Sequence, residues 1–179
     1  MAINVDASDP RLYNATYIPY LDEMARIQIY FGGASSGKSV FLAQRDVIDV
    51  MKGGRNFLVC RQVAHTLRGS VIQEITKIIN EWGLRDLFTI NKTDGTVTCK
   101  NGYQIVFAGL DDVEKLKSLT PARGVFTDIR VEEATETAYD SIKQLLKRQR
   151  GGVNVSSSSQ KSSQSPCASA MPTPRWAAP

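Results

Sequence analysis

The chain has 179 residues, of which 42% are hydrophobic and 22% charged, an ordinary balance for one globular domain with its own core. No run approaches the ~18 apolar residues of a membrane span, and residues 1–10 lack the basic start and apolar centre of a secretory signal, so the chain reads as cytoplasmic. A net charge of +4 is too weak to argue for nucleic-acid binding; three cysteines without ligand spacing and a single histidine, His65, argue against a disulfide framework, a zinc site and a Ser-His-Asp triad.

Residues 1–25 read as an entry segment of turns with one short helix. Arg26–Phe31 is β-branched and aromatic and stops at Gly32-Gly33, which predicts a strand. From Lys38 to Met51 the apolar residues Val40, Phe41, Val47, Ile48 and Met51 recur at helical spacing, closed by Gly53-Gly54. Asn56–Cys60 is a second apolar strand. The strand–loop–helix–strand order predicts a parallel pair with a right-handed crossover. A helix starting after Thr66 carries one stripe of Val71, Ile72, Ile75, Ile78, Ile79 and Trp82 and ends at Gly83.

Three short segments follow, Leu87–Asn91, Thr96–Lys100 and Tyr103–Phe107. Asp94-Gly95 and Asn101-Gly102 separate them, which predicts a β-meander. A short helix is expected over 111–119. In the strand Gly124–Val131, Val125, Thr127, Ile129 and Val131 fall on one face and Phe126, Asp128 and Arg130 on the other. The next helix has Tyr139, Ile142, Leu145 and Leu146 as its apolar side, and its basic run Lys143, Lys147, Arg148 and Arg150 suits a helix carboxyl end. From Gly151 onward the chain is rich in serine and proline and poor in apolar residues, so disorder is expected. The division is therefore 1–25 entry segment, 26–150 globular domain and 151–179 Ser/Pro-rich tail.

The chemistry lies in Gly32-Gly33-Ala34-Ser35-Ser36-Gly37-Lys38-Ser39, which matches the P-loop pattern of Gly, four residues, then Gly-Lys-Ser. Glycines let the backbone fold round phosphate oxygens without a Cβ in the way, and successive N–H groups form an anion nest at a helix start. Lys38 supplies a cation for the β- and γ-phosphates, and Ser39 a hydroxyl ligand for Mg²⁺. Hydrolysis also needs an acid near the metal and a group that orients water. Glu132 and Glu133, just past a strand, divide those tasks; Asp128 competes for the metal-side role if the strand stops at Thr127. Arg61, Arg68, Arg123 and Arg148 are candidates for neutralising transferred phosphoryl charge.

The run Tyr30-Phe31-Gly32-Gly33-Ala34-Ser35-Ser36-Gly37-Lys38-Ser39, then Leu58–Gln62, then Thr66-Leu67-Arg68-Gly69-Ser70-Val71 and Val131-Glu132-Glu133-Ala134-Thr135-Glu136, resembles the ATPase domain of tailed-phage terminase large subunits, over about residues 26–150. That resemblance implies an α/β fold: a P-loop NTPase-type sheet with flanking helices and an inserted β-meander, incomplete at its carboxyl-terminal side. It implies ATP and Mg²⁺ as ligands, Glu132 as metal-side acid and Glu133 as catalytic glutamate. Implied partners are double-stranded DNA, a small terminase subunit and a portal ring in the host cytoplasm, with subunits working as a ring and an arginine completing a neighbour's site. Such proteins continue past the acidic motif into a further strand, a coupling motif and a nuclease domain. The serine-proline tail stands there instead, so a truncated chain of marginal stability is expected. Alternatives are a nucleotide-binding prophage remnant without catalysis, or another P-loop NTPase of helicase-like or small-molecule kinase type.

Overall fold

A computed structural model describes residues 12–149 except Ala34 and Asp112. The expected entry residues 1–11 and the tail 151–179 lie outside the described residues. Five strands, β1 (Phe57–Arg61), β2 (Phe88–Asn91), β3 (Thr96–Cys99), β4 (Gln104–Gly109) and β5 (Asp128–Val131), form one sheet in the order β2-β3-β4-β1-β5. β2, β3 and β4 run antiparallel as a meander. The meander is continuous with the main sheet, because β4 also pairs parallel with β1, setting Phe57 opposite Ile105. β1 pairs parallel with β5 on its other edge, setting Phe57 opposite Asp128.

The pleat separates two cores, as alternation along a doubly covered strand requires. Phe57 and Val59 of β1 and Ile105 and Phe107 of β4 face helices α1 (Lys38–Lys52), α2 (Ala64–Gly69) and α3 (Val71–Glu81), in a cluster with Val47, Val50, Leu67, Ile72, Ile75 and Ile79. Leu58, Cys60, Val106 and Ala108 face the opposite layer, where Leu116 of α4 (Val113–Ser118) and Leu145 of α5 (Tyr139–Arg148) cover them. The α3 stripe is buried as its periodicity dictates. That helix closes in a Schellman turn: Gly83 has φ 66° and donates to the Asn80 carbonyl, and Leu84 donates to that of Ile79.

Three expectations are corrected. Arg26–Phe31 is not a strand, and Ile27, Ile29 and Phe31 stand 66%, 81% and 87% exposed. A strand exists only through a neighbour that takes its backbone groups, and among the described residues no strand pairs with this segment, the outer edges of β2 and β5 included. Side chains hold the segment instead: Arg45 of α1 binds Gln28, the Tyr30 hydroxyl and the Glu23 carbonyl. Second, the strand expected over Gly124–Val131 begins only at Asp128. Asn56, 1% exposed, takes over the preceding backbone, its Nδ2 donating to the carbonyls of Arg123 and Val125 while its Oδ1 accepts from the Gln104 N–H. Third, α1 buries Gln44, Arg45, Asp46 and Asp49 beside Phe41, Val47 and Val50, while Val40 is exposed.

Candidate functional site

The glycine-rich run leads straight into α1, whose first residue is Lys38. Gly37 caps that helix at φ 81°, and Ser35 adopts the left-handed region at φ 61°. The Lys38 ammonium folds back over the loop and donates to the carbonyls of Gly32 at 2.8 Å and Gly33 at 3.1 Å and to Ser36 Oγ at 3.1 Å. A Cβ on Gly32 would lie 3.2 Å from Ser36 Oγ and 3.7 Å from Lys38 Cδ, so a side chain there would press on the Ser36 hydroxyl. Tyr17 braces the loop from outside, donating to the Ser36 carbonyl at 3.0 Å and stacking on Phe41 at 4.8 Å. Ser39 is exposed on the first turn. Ala34 lies outside the described residues.

Two ionic rungs orient α1 against the sheet. Asp49, late in the helix, meets Arg55, which also binds Asp128 at the start of β5. Asp46, one turn earlier, binds Arg130 further along β5 at 2.7 Å. Asn101, in the turn before β4, donates to the Val50 carbonyl at the helix end. The helix thus runs antiparallel to β1, β4 and β5, and its glycine-rich amino end lies at their carboxyl ends.

The acids are at that same end. The Glu132 N–H donates to the Cys60 carbonyl at 2.8 Å, and Arg61 is the last residue of β1. The Glu132 carboxylate is held by Arg130, through Nε at 2.7 Å and also through Nη2. Glu133 adopts φ 51° and ψ 50°, a left-handed conformation that costs a non-glycine residue about 1–3 kcal/mol. Its carboxylate pairs with Arg61. Asp128, the competing acid, is engaged by Arg55 and accepts from Thr127 Oγ1 at 2.7 Å. Among the described residues, no hydrogen bond or ion pair joins the glycine-rich loop directly to Glu132 or Glu133; the link runs through α1, Asp46 and Arg130. Nor do they contain a group of three or more His, Cys, Asp or Glu able to hold a metal by themselves.

The other arginines lie elsewhere. Arg123 sits over the Tyr103 ring at 4.9 Å and donates to the Asn101 carbonyl, at the opposite end of the parallel strands. Arg148 staples α5 to the Leu119 carbonyl, behind the buried Cys60, whose thiol burial pushes up to about 12. Arg68 is on α2, with its side chain outside what the structure describes. Sequence reasoning missed Asp46, Asp49 and Arg130 as a buried group. Their signal was present: charged residues on the inward face of an amphipathic helix and of a strand.

The fold is thus an α/β domain in which a glycine-lysine-serine helix start and an acidic pair share one end of the sheet. Residues 24–169 match the family described as phage terminase large subunit, and the chain belongs to that family. It is 32% identical over 123 residues to the PBSX phage terminase large subunit of Bacillus subtilis (strain 168), covering 69% of this chain and 28% of that protein. It is 30% identical over 106 residues to the terminase large subunit of Bacillus phage SPP1, covering 59% of this chain and 25% of that one. The chain thus spans about a quarter of the length of these relatives. Among solved structures, the large terminase of the thermophilic bacteriophage D6E matches with a TM-score of 0.54 at 18% identity, over 67% of this chain and 30% of that one. A second D6E structure, in complex with ADP, matches at 0.51 and 18%, over 65% and 29%. At that identity the likeness shows the fold. Among the described residues, no helix is long and apolar enough to cross a membrane.

Proposed function

We propose that residues 26–150 are the ATP-binding and hydrolysing domain of a phage DNA-packaging motor, with 1–25 leading in and 151–179 as a tail. The observation that carries this reading is the Gly32–Ser39 run at the amino end of α1, at the same end of the sheet as Glu132 and Glu133, in a chain of the terminase large-subunit family. Gly32, Gly33, Ala34, Ser35, Ser36 and Gly37 would offer backbone N–H groups to the phosphates. The cradle suits such a ligand, since Gly32 leaves its inner wall free of a Cβ and Lys38 already turns its ammonium into it.

Ser39 and Glu132 would hold Mg²⁺, which binds through few protein ligands plus substrate phosphates and neutralises their charge. Glu133 would orient the attacking water. Arg61 stands against Glu133 within the same chain, which fixes the glutamate's charge balance from inside the subunit. The proposed partners are double-stranded DNA, a small terminase subunit and a portal ring, in the host cytoplasm, with the domain acting in a ring of copies. The bound ADP of a D6E relative supports a nucleotide for this fold.

Titration calorimetry with ADP and Mg²⁺ tests the core of the proposal. Lys38→Ala should weaken binding at least a hundredfold while the far-ultraviolet circular dichroism stays unchanged. Equal affinity in the two proteins removes the nucleotide assignment.

A further inference from the structure

Arg130 is 8% exposed and lies between two acids of distant origin. One nitrogen donates to Asp46 Oδ2, 84 residues away, at 2.7 Å; two others donate to Glu132 Oε1. A buried guanidinium must be paired, but pairing alone does not explain its presence. Apolar groups of similar volume in such a place often leave a protein equally or more stable. What an ion line supplies and packing does not is direction: a fork of fixed geometry that sets where a carboxylate points. Both bonds to Glu132 end on Oε1, so Arg130 makes no claim on Oε2. The Glu132 backbone is fixed separately, by its N–H on the Cys60 carbonyl.

We infer that Arg130 is a positioning residue: it orients Glu132, and through Asp46 it locks that carboxylate to the helix carrying Lys38 and Ser39. The inference rests on the nucleotide reading above and deepens it. Among the described residues no hydrogen bond or ion pair joins the glycine-rich loop to the acidic pair, and Asp46–Arg130–Glu132 is a continuous polar connection between the elements that bear them. A shift of α1 on the sheet is thereby a shift of the Glu132 carboxylate. The charges of the line, two acids against one base, leave a net negative group beside the proposed metal position.

The test uses the full chain and measures ADP affinity by calorimetry with and without Mg²⁺. Arg130→Lys keeps the charge but loses the fork. It should lower the Mg²⁺-dependent gain in affinity at least fivefold, leave metal-free affinity within twofold, and have no further effect when Glu132→Gln is already present. A wild-type Mg²⁺ gain in Arg130→Lys, or an equal loss in the Glu132→Gln background, overturns the inference. Should Arg130→Lys fail to fold, Asp46→Asn tests the line from its other end, and an unchanged Mg²⁺ gain there also overturns it. ADP binding without any Mg²⁺ gain in the unaltered chain overturns this inference alone. Absence of ADP binding altogether overturns the nucleotide reading and the positioning role with it.

Discussion

Asn56→Ala removes the polar hub that joins three strands at their amino ends. The side chain makes three bonds: Nδ2 to the Arg123 carbonyl at 2.6 Å, Nδ2 to the Val125 carbonyl at 3.1 Å, and Oδ1 from the Gln104 N–H at 2.8 Å. The partners are half-buried or exposed, so each bond contributes a net of about 0.5–1.5 kcal/mol and the sum is about 2–4 kcal/mol. Against a typical domain stability of about 5–15 kcal/mol, that is a large share. Urea unfolding followed by fluorescence of Trp82, which is half-buried against the main core, reads it directly. Asn56→Asp should be at least as damaging at pH 7, because a carboxylate oxygen would face two carbonyl oxygens. A loss below about 1 kcal/mol for Asn56→Ala, at unchanged urea dependence, refutes the hub argument.

Three further outcomes are expected. Glu133→Gln should lower ATP turnover at least a hundredfold while ADP affinity stays within about threefold, as steady-state kinetics beside calorimetry would show. Burial raises the Asp46 carboxyl from 3.8 to about 6, against the pull of Arg130. With the folded value above the unfolded one, the folded state binds the proton more tightly. The stability this provides is full below about 3.8 and is lost as pH rises through 6, a fall that the pH dependence of urea midpoints should show shrinking in Asp46→Asn. Gly109→Ala should destabilise by about 2 kcal/mol or more in thermal melts, because the added Cβ would lie 2.7 Å from both the Cβ and the amide nitrogen of Ala64.

What the sequence made legible was local. The apolar stripe from Val71 to Ile79, its stop at Gly83 and the meander turns at Gly95 and Gly102 depend on residues within one window, and the structure follows them, although the helix expected after Thr66 is divided at Ser70 into α2 and α3. The glycine-rich run before α1 was legible for the same reason. Arg26–Phe31 was misread because strand composition says nothing of whether another strand pairs with it. The burial of Asp46 and Asp49 in α1 was missed because their partners, Arg130 and Arg55, come from other elements. Glu132 and Glu133 could be located by their place after a strand, but the guanidiniums that hold them could not. The pairing of Arg61 with Glu133 is set by β1 and β5 lying side by side, which no single window of sequence shows.

The sheet order has a consequence for how the molecule comes together. The meander strands meet across short turns, whereas the contacts of Asn56 span 48 residues to Gln104 and 71 to Thr127. Closing loops of that size costs entropy before any contact offsets it, so α3 and the hairpins assemble early and the β1–β5 seam closes last. The acidic pair lies at the end of that seam, so its arrangement is the final thing the chain acquires on folding and the first it gives up when the edge strand frays.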